Sequence, residues 1–187
     1  MRIDSRKART TLPRILEASL SLFVERGVEA TTTKAIARRA RVAEGSIYRH
    51  FASKDDLAHA IYRENLEELS ALLFAALRPG RSLVGNLEGL LSVLFSRYES
   101  EPLLARFLLF GQFREAPRFP RGFRYPSEAF AEAIRMGKRL PEREIPLVTA
   151  LLFGAAVRTV YWRVENSLGD LRPLASAVAA RLARMAA

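Results

Sequence analysis

Two helical runs too short to stand alone, residues 33–40 and 44–51, constrain this chain most. Only Arg41, Val42 and Ala43 join them. An isolated helix needs about 12–15 residues to persist in water, so neither run can hold its shape unaided. They must cross and share cover from the preceding helix, expected over 12–26. Ile36, Ala37, Ala40, Val42, Ile47 and Phe51 then face that helix. The spacing predicts a helix-turn-helix, whose second helix fits the DNA major groove.

Glycine and proline punctuate the rest. The 12–26 run carries Ile15, Leu16, Ala18, Ser19, Leu22 and Phe23 at helical spacing, and Gly27 reads as its C-terminal cap. Thr32 precedes the second helix. Ser53 can cap a fourth, expected from Lys54 to about Leu77. Arg78-Pro79-Gly80-Arg81 is a break. Helices are expected over 82–100, from Pro102 to about Arg114, over 127–138, over 147–166 and over 171–185. Residues 116–126 form a Pro- and Arg-rich loop. No segment alternates with period two, so the fold class is all-α with about nine helices. The expected division is a helix-turn-helix domain over 1–53 and a body over 54–187.

The outward face of the second short helix carries the chemistry. Glu44 and Ser46 lie at its N-terminal end, which points at base edges in this motif, and Gly45 permits close backbone approach. Tyr48, Arg49 and His50 offer donors suited to phosphate. Thr32 and Lys54 stand at helix starts, where backbone N–H groups attract phosphate. Glu44 can accept from a cytosine amino group or be merely solvated. Arg38, Arg39 and Arg41 form a basic face that either touches DNA or is solvated.

Charge agrees with a polyanion partner. The net charge is +10, with twelve basic against six acidic residues up to residue 55, and 18 against 14 beyond it. There are no cysteines and two histidines, His50 and His59, so Cys-ligated zinc and thiolate chemistry are excluded and no metal is expected. His59 lacks a partner at ligand spacing and reads as structural. No Ser/His/Asp set or Gly-rich phosphate loop is present, and Glu64, Glu67 and Glu68 read as an exposed helix face. The chain is therefore read as no enzyme, with no cofactor. No signal core and no run of about 18 uninterrupted apolar residues is found, so a cytoplasmic protein without a membrane partner is expected. A non-specific architectural DNA binder would need only the charge, not the ordered Tyr48-Arg49-His50 face.

Residues 32–40 (TTKAIARRA), then Val42, Gly45, 47–51 (IYRHF) and 53–57 (SKDDL), resemble the head of TetR-family repressors. The likeness covers about residues 10–60. It implies that Thr32, Tyr48, His50 and Lys54 hold phosphates, that Glu44, Gly45 and Ser46 lie against bases, and that Arg49 meets a base or a phosphate. Thr33 and Lys34, within the same motif, join this DNA-binding set. Three positions depart from the family pattern. Arg41 stands at a turn position that favours φ > 0, where glycine is usual. Ala43 replaces the usual N-cap serine. Ala35 removes the acidic partner of a capping box with Thr32.

The resemblance also implies that the body binds a small molecule and forms the dimer. Phe95, Tyr98, Phe107, Phe110, Gln112, Phe113, Phe130 and Met136 are the candidate lining for an apolar, aromatic or acyl-CoA-like ligand. Arg114, Arg118, Arg121 and Arg124 form a cationic cluster nearby that either receives an anionic group or is solvated. The run 147–163 is apolar nearly all round, so it must be buried on more than one side. Together with 171–185 it can form half of a four-helix interface in a homodimer. The function expected is a repressor released from a palindromic DNA operator by its ligand.

Overall fold

The computed structural model describes residues 5–111, 113, 117–137, 140–166 and 169–185. Among these there are nine α-helices, two short 3-10 turns and no strand. The helices are α1 (Ser5–Ala30), α2 (Thr33–Ala40), α3 (Gly45–Tyr48), α4 (Lys54–Ala76), α5 (Leu83–Ser100), α6 (Pro102–Phe110), α7 (Pro126–Gly137), α8 (Ile145–Asn166) and α9 (Ala175–Met185). The chain divides into two compact units. One holds residues up to 64 together with 103–120, and the other holds 65–102 together with the rest. Helix α4 runs through the division, and α6 belongs to the first unit.

In the first unit α1 and α2 pack around Ile15, Leu22, Phe23, Ile36 and Ile47, with Leu57, Ile61 and Phe107 completing the core. Helix α1 starts earlier than its apolar stripe and is broken at Gly27 (φ 81°, ψ 160°), where a side chain would be strained. The last turn of α1 lies beyond that break. Thr31 fastens it, its buried hydroxyl 2.7 Å from the Gly27 carbonyl and 3.3 Å from that of Leu22. Helix α6 ends at Phe110, short of the expected Arg114, which lies outside the described residues. A Cβ at Gly111 would run into the Phe107 carbonyl, so glycine fits this position.

The second unit is organised by α5, which packs on α9 and α7, while α7 packs on α8. Leu87, Leu90, Leu91, Leu94 and Phe95 line its buried face. Ser82 caps α5 by accepting from the Gly85 N–H at 3.2 Å. Asn86, fully buried, accepts from the Arg78 N–H (3.0 Å) and donates to the Arg78 carbonyl (3.3 Å), closing the α4–α5 turn. Glu99 accepts from Arg163 Nε (2.9 Å) and from the Leu171 N–H (3.1 Å), tying α5 to α8 and to the approach of α9. The expected helix over 171–185 opens as a 3-10 turn, Arg172–Leu174, and becomes α-helical at Ala175.

Helix α8 buries one stripe, Ile145, Thr149, Leu152, Ala156 and Val160. Its opposite face leaves Leu147 (66%), Leu151 (49%) and Trp162 (50%) exposed. By length and mean hydropathy (1.5) the segment Glu142–Glu165 could cross a bilayer. Arg158 interrupts it, and the stripe is packed on α7.

Candidate nucleic-acid interface

The interface is built from the cap of α2. Thr32 is extended (φ −112°, ψ 149°), and its hydroxyl accepts from the Ala35 N–H at 3.2 Å. This supplies the N-cap without the acidic half of a capping box. It also sets Thr33 and Lys34 on the first turn of α2. At the other end Arg41 takes the left-handed conformation (φ 55°, ψ 47°), the only non-glycine residue with positive φ among those described. Its carbonyl accepts from Arg14 Nη2 at 3.1 Å. The turn therefore forms although glycine is missing.

Helix α3 is a single α-turn, Gly45–Tyr48, extended by the bonds from the His50 and Phe51 N–H groups to the Ile47 carbonyl (2.9 and 3.0 Å). It is shorter than the expected 44–51. Ala43 offers no side-chain oxygen, and Glu44 makes no cap bond. Ile47 is fully buried and anchors this turn on α2, and Phe51 is half-buried against the same core.

Three predicted residues meet on the outer face. The Thr33 hydroxyl donates to Glu44 Oε1 (2.6 Å) and lies 3.2 Å from the Tyr48 hydroxyl. Tyr48 is 54% exposed, so it is not a core residue. Lys34, Gly45, Arg49 and His50, close in sequence to these three, are exposed. Ser46 is placed differently, since it is buried and accepts from Arg49 Nη2 at 2.9 Å. Lys54 Nζ donates to the Glu29 carbonyl, which ties the start of α4 to the end of α1. Ser53 caps α4 through the Asp56 N–H (3.0 Å).

Arg39 turns away from this face. It forms an ion pair with Glu25 on α1 and donates to Ser21 at 2.8 Å. The Arg39 hydrogen bond holds the Glu25 carboxyl below its ordinary value of 4.5. No group of three His, Cys, Asp or Glu residues among those described could hold a metal.

The aromatic candidates for a ligand lining fall into both units. Phe107 stacks on Phe23 at 5.8 Å and meets Phe113 edge-on at 5.7 Å, within the core of the first unit. Phe110 is partly exposed on α6. Phe95, Tyr98 and Phe130 are buried in the second unit, where Met136 accepts from Asn86 Nδ2 at 3.9 Å. Gln112 lies outside the described residues. A groove of about 580 Å³ opens instead between α7 and α8, at residues the sequence reading did not single out. The one available signal for it was a threonine, Thr149, within the apolar run of α8.

Residues 15–61 match the profile of bacterial regulatory proteins of the tetR family. The head of this chain is similar to that of TetR-family regulators. A curated relative, the HTH-type transcriptional repressor KstR2 of Mycobacterium tuberculosis, is 34% identical over 85 residues, covering 46% of this chain and 42% of the relative. The match thus spans well under half of that relative's length. A TetR-family regulatory protein from Rhodococcus RHA1 shares the whole fold, with a TM-score of 0.76 over 93% of this chain and 95% of that one at 23% identity. FadR of Bacillus subtilis in complex with stearoyl-CoA superposes with a TM-score of 0.70 at 19% identity, over 91% of this chain and 97% of its own. The sequence likeness to the repressor covers the head and the residues just beyond it, while the likeness to the solved structures extends the TetR fold along nearly the whole chain.

Proposed function

We propose that this protein is a sequence-specific transcriptional repressor of the TetR family that leaves a palindromic operator when a small apolar or amphipathic ligand binds its second unit. The observation that carries the reading is the Thr33, Glu44 and Tyr48 cluster on a helix-turn-helix, with Lys34, Arg49 and His50 exposed at neighbouring positions in the sequence. Thr32, Thr33, Lys34, Tyr48 and His50 hold phosphates. Glu44 and Gly45 approach bases, and Arg49 meets a base or a phosphate. Ser46 and Lys54 contribute through position, since Ser46 orients Arg49 and Lys54 joins α4 to α1.

The repressor KstR2 and the acyl-CoA-bound FadR support the two halves of the reading, DNA and ligand. Phe95, Tyr98, Phe130 and Met136 line the internal ligand site of the second unit. The exposed face of α8, with α9, forms the homodimer that presents two heads to two half-sites. DNA is the partner, so the protein acts in the cytoplasm. A ligand moves this equilibrium only through different affinities for the bound and released states.

Selection of genomic fragments by the full-length protein tests the reading. A discrete two-fold symmetric site is the expected product, with retention falling as salt rises. Uniform retention of all fragments would make it an architectural binder, and no retention would remove the DNA reading.

A further inference from the structure

The groove between α7 and α8 is lined by Ala131, Arg135, Ile145, Thr149, Ala150 and Phe153, among others, and holds about 580 Å³. That is within the range of small-molecule sites. Thr149 is the telling residue. It sits in the buried stripe of α8, 8% exposed, and its hydroxyl has no hydrogen-bond partner among the described residues. Two other buried or part-buried helical hydroxyls bond back to the preceding turn, Thr159 to the Ala155 carbonyl (2.9 Å) and Ser19 to that of Ile15 (2.6 Å). Buried polar groups are almost always paired, so an unpaired hydroxyl beside an open groove calls for a partner.

The lining limits what that partner is. Its two charges are opposite in sign and already engaged: Glu128 accepts from the Tyr125 N–H (2.7 Å), and Arg135 donates to Glu142 (3.0 Å). The one cation is thus paired with carboxylates, and the charge that Glu128 keeps disfavours an anionic ligand. Ala131, Ile145, Ala150 and Phe153 are apolar. Phe153 is fixed edge-on to Phe130 at 5.4 Å and offers an aromatic wall.

We propose that this groove binds a neutral, largely apolar molecule of one or two rings bearing a carbonyl oxygen, which accepts the hydrogen bond of Thr149. The site is distinct from the internal lining proposed above, and its occupancy does not depend on DNA.

A matched pair of probes tests it. 2-Acetylnaphthalene and 2-ethylnaphthalene have nearly the same shape, and only the first carries a carbonyl. Each is titrated into the full-length protein without DNA and followed by amide resonances. One neutral hydrogen bond corresponds to about a fivefold difference, so the ketone is expected to bind about fivefold tighter, with shifts centred on α7 and the first turns of α8. Thr149→Val brings the ratio to about one, and Thr149→Ser preserves it. Gly154→Leu weakens both probes, because a Cβ there meets no heavy atom within 4 Å and the added side chain has room beside the groove. Equal affinity for the two probes in the parent protein, a preference that survives Thr149→Val, or shifts confined to other helices would overturn the proposal. If the valine variant does not fold, the serine and leucine variants still decide it.

Discussion

At the scale of single residues, Arg41 and Glu44 depart from expectation with opposite consequences. Arg41 holds a left-handed conformation that costs a residue with a Cβ about 1 kcal/mol relative to glycine. Arg41→Gly is therefore expected to raise stability by about 1 kcal/mol in chemical denaturation. A lower stability would mean that the arginine side chain supports the turn. Glu44 is held by Thr33 through one oxygen, which leaves the other free to accept. Carboxylates accept from the cytosine amino group, and glutamine pairs with adenine. The parent protein should then select cytosine at one position of each half-site, and Glu44→Gln should move that preference toward adenine in a random-fragment selection. An unchanged site would make Glu44 a solvated residue. Thr149 provides a third residue-level test. Removing an unpaired buried hydroxyl without changing shape is expected to stabilise, so Thr149→Val should gain about 1 kcal/mol in the absence of ligand.

At the scale of elements, the sequence was most informative where periodicity and punctuation agree. Helices α2 and α4 lie where Thr32 and Ser53 precede apolar repeats, and both caps form, while Ser82, expected inside its helix, caps α5. The ends that moved lie at local departures from the pattern that the apolar repeats alone do not record. Helix α6 stops where a side chain at residue 111 would meet a carbonyl, and α3 shrinks to one turn because its start lacks a cap. The burial of Ser46 and the Arg39–Glu25 pair were illegible because both depend on how α2 and α3 lie against α1. That pair has a measurable signature. Its hydrogen bond lowers the folded-state pKa of Glu25 below 4.5, so its stabilisation is complete above that pH. It is lost as pH falls through the depressed folded value. Urea denaturation should show Glu25→Gln less stable than the parent protein at pH 7, with the difference closing in strong acid. A gap independent of pH would assign the effect to packing.

At the scale of the whole molecule, the unburied face of α8 is the feature on which the proposed dimer rests. Leu147, Leu151 and Trp162 are large, exposed and on one face of α8, which marks that face as a contact surface. In the homodimer proposed above, a second copy would cover this stripe in a two-fold arrangement, each α8 meeting the same surface on its partner. One head touches a single groove segment, and a short recognition turn such as α3 gives few contacts. Linking two heads makes the second contact intramolecular, which strengthens binding by about 100-fold or more without any new contact to DNA. Leu151→Glu places a carboxylate in the middle of the stripe and leaves the head unaltered. Light scattering is expected to show a dimer for the parent protein and a monomer for the variant. Affinity for a site with both half-sites should fall by about 100-fold, while affinity for a single half-site stays the same. If the variant stays dimeric, α8 is not the interface. A monomer that keeps full affinity for the double site would mean that the two heads act independently.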